Sequence, residues 1–181
     1  KAKGDKAIVE TLQPTRNKGE IYLFNDRAMW FYKPSLKKPV SISSREKMSG
    51  QAANGDIAST HYARDYDPQF EKTMQIDGKN IVVLFLTAKN KQVTYDKIRY
   101  FLEEKTKIAI KAEFLTLQGE IFKIAEFQYN NKIKDESGQT IQFISQMTIT
   151  DAKNKANYSI MKYSNAQAQN ISDTLFNINN L

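Results

Sequence analysis

The sequence predicts a mainly β protein of the α+β class, organised around an antiparallel sheet. Three observations predict it. Apolar and polar residues alternate along several long segments, turn signals recur at short and regular intervals, and only two short stretches read as helix.

In chain order, strands are expected over 7–13 and 20–24, joined by a turn that has Pro14 and Gly19 at its ends. Asn25-Asp26 separates the second of these from a strand over 29–32, which Pro34 stops, and Pro39 precedes another over 40–44. The segments 70–76 and 80–87 flank Asp77-Gly78, the strongest hairpin signal in the chain. Segments 93–103, 107–117 and 120–129 read as a meander turning at Glu104-Lys105-Thr106 and Gln118-Gly119. A loop over 130–138 leads to a strand over 139–150, and a turn over 151–155 leads to the last, 156–163. The expected total is about ten or eleven strands in a sheet, sandwich or barrel.

Alternation says which faces are buried. Ile98, Tyr100 and Leu102 share one face, against Lys97, Arg99 and Glu103. Ile108, Ile110, Ala112 and Phe114 oppose Lys111 and Glu113 in the same way, and Ile141, Phe143, Met147 and Ile149 oppose Gln142, Gln146 and Thr148. So long a sheet has an extended apolar face, and the two helical stretches, 56–65 and a turn in 172–176, are too few to cover it. The sheet can close into a barrel, or curl partly beneath one helix acting as a lid; either leaves room for a cavity.

Composition removes several function classes. At 181 residues the chain is expected to form one domain over 1–181 with a real core. Its longest apolar run, 81–86, is far too short to span a bilayer. There is no cysteine, hence no disulfide, thiolate metal site or cysteine nucleophile. The 27 Lys/Arg against 20 Asp/Glu give a net charge of +7, but lysine dominates and the five arginines (16, 27, 45, 64, 99) are dispersed. A scattered basic surface is expected, not a nucleic-acid site. No phosphate loop, dinucleotide fingerprint, zinc spacing or nucleophile elbow occurs. His61 is the only histidine and stands in no recognisable triad; Asp65 and Asp67 are a weak cation signal. Neither catalysis nor a cofactor is expected.

The most distinctive segment is 28–66. It opens with Ala-Met-Trp-Phe-Tyr-Lys-Pro, which places Trp30 and Tyr32 on one strand face and Met29 and Phe31 on the other. The polar, small-residue loop 43–56 follows, long enough to suggest a lid. Asn54 or Asp56 can cap the helix after it, on which Ile57, Thr60, His61 and Arg64 would form one stripe and Tyr62, Asp65 and Tyr66 another.

These motifs, in this order, resemble the LolA/LolB-like family of outer-membrane lipoprotein-sorting proteins. The resemblance is carried by T-L-Q-P-T-R-N-K-G-E-I-Y-L, A-M-W-F-Y-K-P-S-L-K-K-P, G-D-I-A-S-T-H-Y-A-R-D-Y, I-R-Y-F-L-E-E-K-T-K-I-A-I-K-A-E-F and I-S-D-T-L-F-N-I-N-N-L. Two departures are visible. The lid segment carries Ile57 where the family often has Phe, and only about a dozen residues precede the Pro-Lys-Gly turn, so the family's N-terminal helix and first strands are expected to be missing.

The resemblance implies a curved antiparallel sheet forming an incomplete barrel, whose apolar concave face holds acyl chains beneath helical lids. It implies a non-enzymatic periplasmic carrier or chaperone of lipoprotein acyl chains or lipid, a mature form after signal-peptide removal, with transient membrane contact. An RND-type or other inner-membrane transporter is the partner it suggests. The expected ligand lining is Trp30, Tyr32, Tyr100, Phe114 and Phe143, with Ile57, His61 and Tyr62 on the lid. The alternative is an envelope interaction domain that docks a transporter complex or an anionic membrane without carrying lipid.

Overall fold

The computed structural model describes residues 1–58, 61–135 and 137–181. The first third of the chain forms a small antiparallel meander of β1 (Ala2–Lys3), β2 (Lys6–Glu10), β3 (Ile21–Asn25), β4 (Ala28–Tyr32) and β5 (Val40–Ile42), hydrogen-bonded in that order. Its aromatic strands are covered on both faces. On one, Ala7, Phe24 and Met29 are buried together with Val9, Tyr22 and Ile42 beside them. On the other, Leu23 is fully buried, and the C-terminal tail folds back over it. There Ser172 caps a 3-10 turn, Asp173–Phe176, by accepting the Thr174 N–H, while Phe176 is buried and Asp173 pairs with Lys3 and Lys6.

A short hairpin of β6 (Lys47–Ser49) and β7 (Ala52–Ala53) and two single helical turns, α1 (Gly55–Ala58) and α2 (Tyr62–Asp65), lead to the large sheet. The expected helix over 56–65 is therefore not continuous. His61 has non-helical backbone angles and its Nδ1 accepts the Arg64 N–H, so it starts a new turn instead of continuing an old one. Thr60, placed on the expected stripe, lies outside the described residues.

The large sheet comprises β8 (Tyr66–Ile76), β9 (Lys79–Ala88), β10 (Lys97–Glu103), β11 (Ala109–Leu115) and β12 (Ile121–Gln128). A ribbon of β13 (Asn131–Lys134) and β14 (Thr140–Phe143) interrupts it before β15 (Gln146–Asp151) and β16 (Tyr158–Lys162). The order is β16-β15-β12-β11-β10-β9-β8, antiparallel throughout, with β8 and β16 as open edges: a curved sheet that does not close. Asp77 and Gly78 both take positive φ, +49° and +75°, as a two-residue β8–β9 hairpin requires.

The strand expected over 139–150 divides in two. At Ile144-Ser145 the chain leaves one pairing for another: Phe143 faces Asn131 across the ribbon, whereas Met147 faces Phe127 in the large sheet. The Ser145 N–H donates to Gln128 and its hydroxyl accepts from Asn130, which fixes the break. The 130–138 loop correspondingly contains β13. A bulge opposite Phe101 and Leu102 corrects a second expectation, because Ile110 packs with Ile81, Val83 and Phe101 and not with Ala112 and Phe114.

The main core lies on the inner face of the large sheet, where Leu86, Ile98, Ala112, Phe114, Ala125 and Ile149 are buried. Tyr66, Val93, Tyr95 and Ala52 plug one end of it. The β6–β7 hairpin reaches across to β16. The Gln51 N–H donates to Ser159 Oγ at 2.7 Å, and Gly50 sits at φ +55° with that hydroxyl too close for a Cβ to fit. Gly50→Ala is expected to cost about 1–3 kcal/mol in urea unfolding, from strain and loss of this docking. Unchanged stability would show that the hairpin is not seated on β16.

Candidate functional site

What the plug leaves uncovered is an open hollow of about 370 Å³ on the inner face, within the usual range of a ligand site. Tyr100 on β10, Phe114 on β11, Phe127 on β12 and Met147 on β15 form its floor, one side chain from each neighbouring strand. Ile57 and Ala58 on α1 and Tyr62 on α2 form one wall. Phe143 and Ile144, at the end of the β13–β14 ribbon, form the opposite wall, with Tyr129 and Tyr163 beside them.

The floor is held from behind. Phe114 is 2% exposed and its ring stacks on Tyr95 with centroids 3.8 Å apart. The Tyr95 hydroxyl lies 2.9 Å from one Asp56 carboxylate oxygen and 3.0 Å from the other, and the Ala53 N–H donates to the same carboxylate at 2.8 Å. Burial pushes the Asp56 carboxyl above its ordinary value, although these donors and Lys123 partly offset it. Burial likewise lowers the Lys123 ammonium, which donates to the Gln51 carbonyl at 2.7 Å and lies over the Tyr95 ring. The lid rests on this column: Tyr62 packs against Tyr100 with ring centroids 4.6 Å apart, and Ile57 also touches the small-sheet core of Phe24 and Met29.

The structure thus brings Tyr100, Phe114, Phe143, Ile57 and Tyr62 to one hollow. It does not bring the other three there. Trp30 and Tyr32 lie on β4 of the small sheet, on the face shared with Leu23. His61 is half-exposed, with its Nε2 3.7 Å from Asp5. Phe127, Tyr129, Met147 and Tyr163 complete the lining. Tyr129, just past the end of β12, is in phase with Ala125 and Phe127, and Tyr163, just past β16, with Met161, so the period-two pattern carried a signal for both.

An ion-pair cluster fixes the lid's far end. Asp65, with a side chain 4% exposed, accepts from Arg27 at 3.0 Å and from both forks of Arg64 at 2.9 Å; Arg64 also reaches Asp5. Burial pushes the Asp65 carboxyl up, but the hydrogen bonds from Arg64 and Arg27 outweigh it and hold it below the ordinary carboxylate value. Asp65 is committed to arginines, and Asp67 lies 3.4 Å from Lys89. Among the described residues no group of three or more acids and histidines could hold a metal ion, and no helix is long and apolar enough to cross a membrane.

A family model described as "Uncharacterized protein" matches residues 3–181. No curated protein matches the chain. Among solved structures it is similar to a LolA superfamily protein from Nitrosomonas europaea, with 28% identity, 98% of this chain and 78% of that one covered, and a TM-score of 0.84. A DUF1329 family protein from Desulfovibrio piger follows at 20% identity, 97% and 76% coverage and TM-score 0.80. A domain assigned to an outer membrane lipoprotein-sorting protein from Vibrio parahaemolyticus gives 20%, 96% and 76%, and 0.74. The fold is LolA-like.

Proposed function

This chain belongs to the family whose model spans residues 3–181, and from its LolA-like fold we propose that it is a non-enzymatic carrier of acyl chains in the periplasm, serving lipoproteins or lipids bound for the outer membrane. The observation that carries the reading is the open, aromatic-lined hollow on the inner face of an unclosed sheet, walled by two short helical turns and a ribbon. Each methylene withdrawn from water gains about 0.8 kcal/mol, so an acyl chain needs cover to cross an aqueous space. It must also be released, and a shallow site beneath small movable elements suits release better than a sealed pocket. Lipoprotein sorting is named for one structural neighbour, and this supports lipoprotein or lipid as cargo. The inner-membrane transporter implied by the family resemblance would then be the donor or acceptor.

Lipid mass spectrometry of the natively purified protein, with competition by a fluorescent fatty acid, tests the reading. Stoichiometric lipid displaced by the probe is the expected result. No lipid and no probe binding in a folded sample would overturn it in favour of a domain that docks an envelope complex or anionic membrane.

The site residues are tested separately. Phe143→Ala removes a half-buried ring from the ribbon wall and is expected to weaken probe binding roughly tenfold, or about 1.4 kcal/mol, with little change in stability. Trp30→Ala is expected to leave probe affinity within about twofold in protein that remains folded, because the ring lies off the hollow. A large loss of affinity in folded Trp30→Ala would relocate the site to the small sheet.

A further inference from the structure

Within that carrier reading, on which this inference rests, we propose that the hollow takes the carbonyl-bearing part of its lipid, the ester or amide linkages of the acyl chains, with Tyr62, Tyr100, Tyr129 and Tyr163 as the donors. The hollow is not simply greasy: four of its lining residues are tyrosines. None of their hydroxyls has a hydrogen-bond partner among the described residues. Two neighbouring tyrosines at the plug are different, since Tyr66 donates to the Tyr95 carbonyl at 2.9 Å and Tyr95 is bound to Asp56. The structural tyrosines are saturated and the hollow's are not.

The hydroxyls also belong together. The Tyr62 and Tyr100 rings pack with centroids 4.6 Å apart, and Tyr129 and Tyr163 line the same hollow. Among the described residues no buried side-chain nitrogen or oxygen lacks a partner, so these four hydroxyls are not sealed in the core, and the residues that carry them line the hollow. Burial raises all four above the ordinary tyrosine value, which keeps them neutral O–H donors at physiological pH.

Selectivity follows from what happens to these groups when water leaves. A bare hydrocarbon chain laid over them would strip their water and return nothing, whereas a carbonyl oxygen accepts the bond that water gave up. A site built to hydrogen-bond its ligand discriminates strongly against an isostere that lacks the partner.

The test compares a diacylglycerol with its dialkyl ether analogue, matched in chain length, each competing against the fluorescent acyl probe. The ester lipid is expected to bind at least about tenfold tighter than the ether. Tyr129→Phe and the Tyr62→Phe/Tyr129→Phe double variant should bring that ratio toward one by weakening the ester more than the ether, with melting curves recorded alongside. Because the hydroxyls bond no described protein group, these variants are expected to fold. Equal binding of ester and ether by the unmodified protein overturns this inference and leaves the carrier reading standing. An ester preference that persists in both variants overturns the assignment to the tyrosines. Failure of both lipids and of the probe overturns the carrier reading itself.

Discussion

Phe114→Ala is expected to destabilise the protein by about 3–5 kcal/mol and to abolish binding of an acyl probe. Phe114 is 2% exposed, stacks on Tyr95 and forms the floor of the hollow. Removing the ring does more than enlarge the hollow. It leaves Tyr95 without its stacking partner, and Tyr95, with the Ala53 N–H, holds the carboxylate of Asp56 on α1. Destabilisation and loss of binding should therefore appear together. Urea unfolding followed by fluorescence measures the first, read as a shift in midpoint at constant slope. Phe114→Leu keeps most of the volume and should lose much less of both. A destabilisation below about 1 kcal/mol for the alanine variant would show that the Tyr95–Phe114 column does not hold the inner face together.

Asp65→Asn carries the second large effect, and it depends on pH. The carboxylate is buried between Arg27, beside the β3–β4 turn of the small sheet, and Arg64 on α2, immediately before the large sheet begins. The cleft beside the pair has only about 10 Å³ of free space, room for about one water. Both arginines are partly exposed, which reduces the effect from that of a fully buried pair to about 2 kcal/mol at neutral pH. The sign follows from the folded carboxyl being held below its unfolded value of 3.8. Its contribution is fully present above that value and is lost as pH falls through the folded one. The stabilities of the native protein and Asp65→Asn should thus differ at pH 7 and converge as the pH falls through the lowered value of the folded carboxyl. Glu113, held low by Lys111 and Arg99 against the effect of burial, titrates alike in both proteins and cancels in the comparison. A difference that persists unchanged into acid would mean that packing, not charge, accounts for the loss.

This fold encloses space in two ways. Phe114 belongs to a continuous apolar layer whose contribution is area withdrawn from water. Asp65 belongs to a clamp between two sheets that among the described residues share no strand pairing. The lid turns lie between them, with Ile57 touching the small-sheet core and Tyr62 touching the large-sheet floor. Any opening of the hollow through α1 or α2 has to work against one contact or the other. In the proposed carrier, release would then be coupled to the relation between the sheets.

Local pattern determined much of this molecule. Alternation at Ile98-Tyr100-Leu102 and at Ala112-Phe114 identified the inner face, because a strand's side chains must alternate whatever the strand pairs with. Asp77-Gly78 fixed a hairpin, because few residue pairs tolerate its positive φ angles. Those signals were enough for a mainly β chain with an extended apolar face and room for a cavity. Tertiary structure alone decided the rest. Trp30 and Tyr32 read as a pocket, yet they lie on a different sheet, since alternation separates the two faces of a strand without saying what covers either. The break at Ile144-Ser145 was hidden because Phe143 and Met147 keep the same parity across it while changing partners. Which side chains share a face is a matter of backbone geometry over a few residues, and local pattern determines it. Which faces meet depends on pairings between residues far apart in the chain, and these are settled only when the whole sheet curls and its apolar surface finds cover.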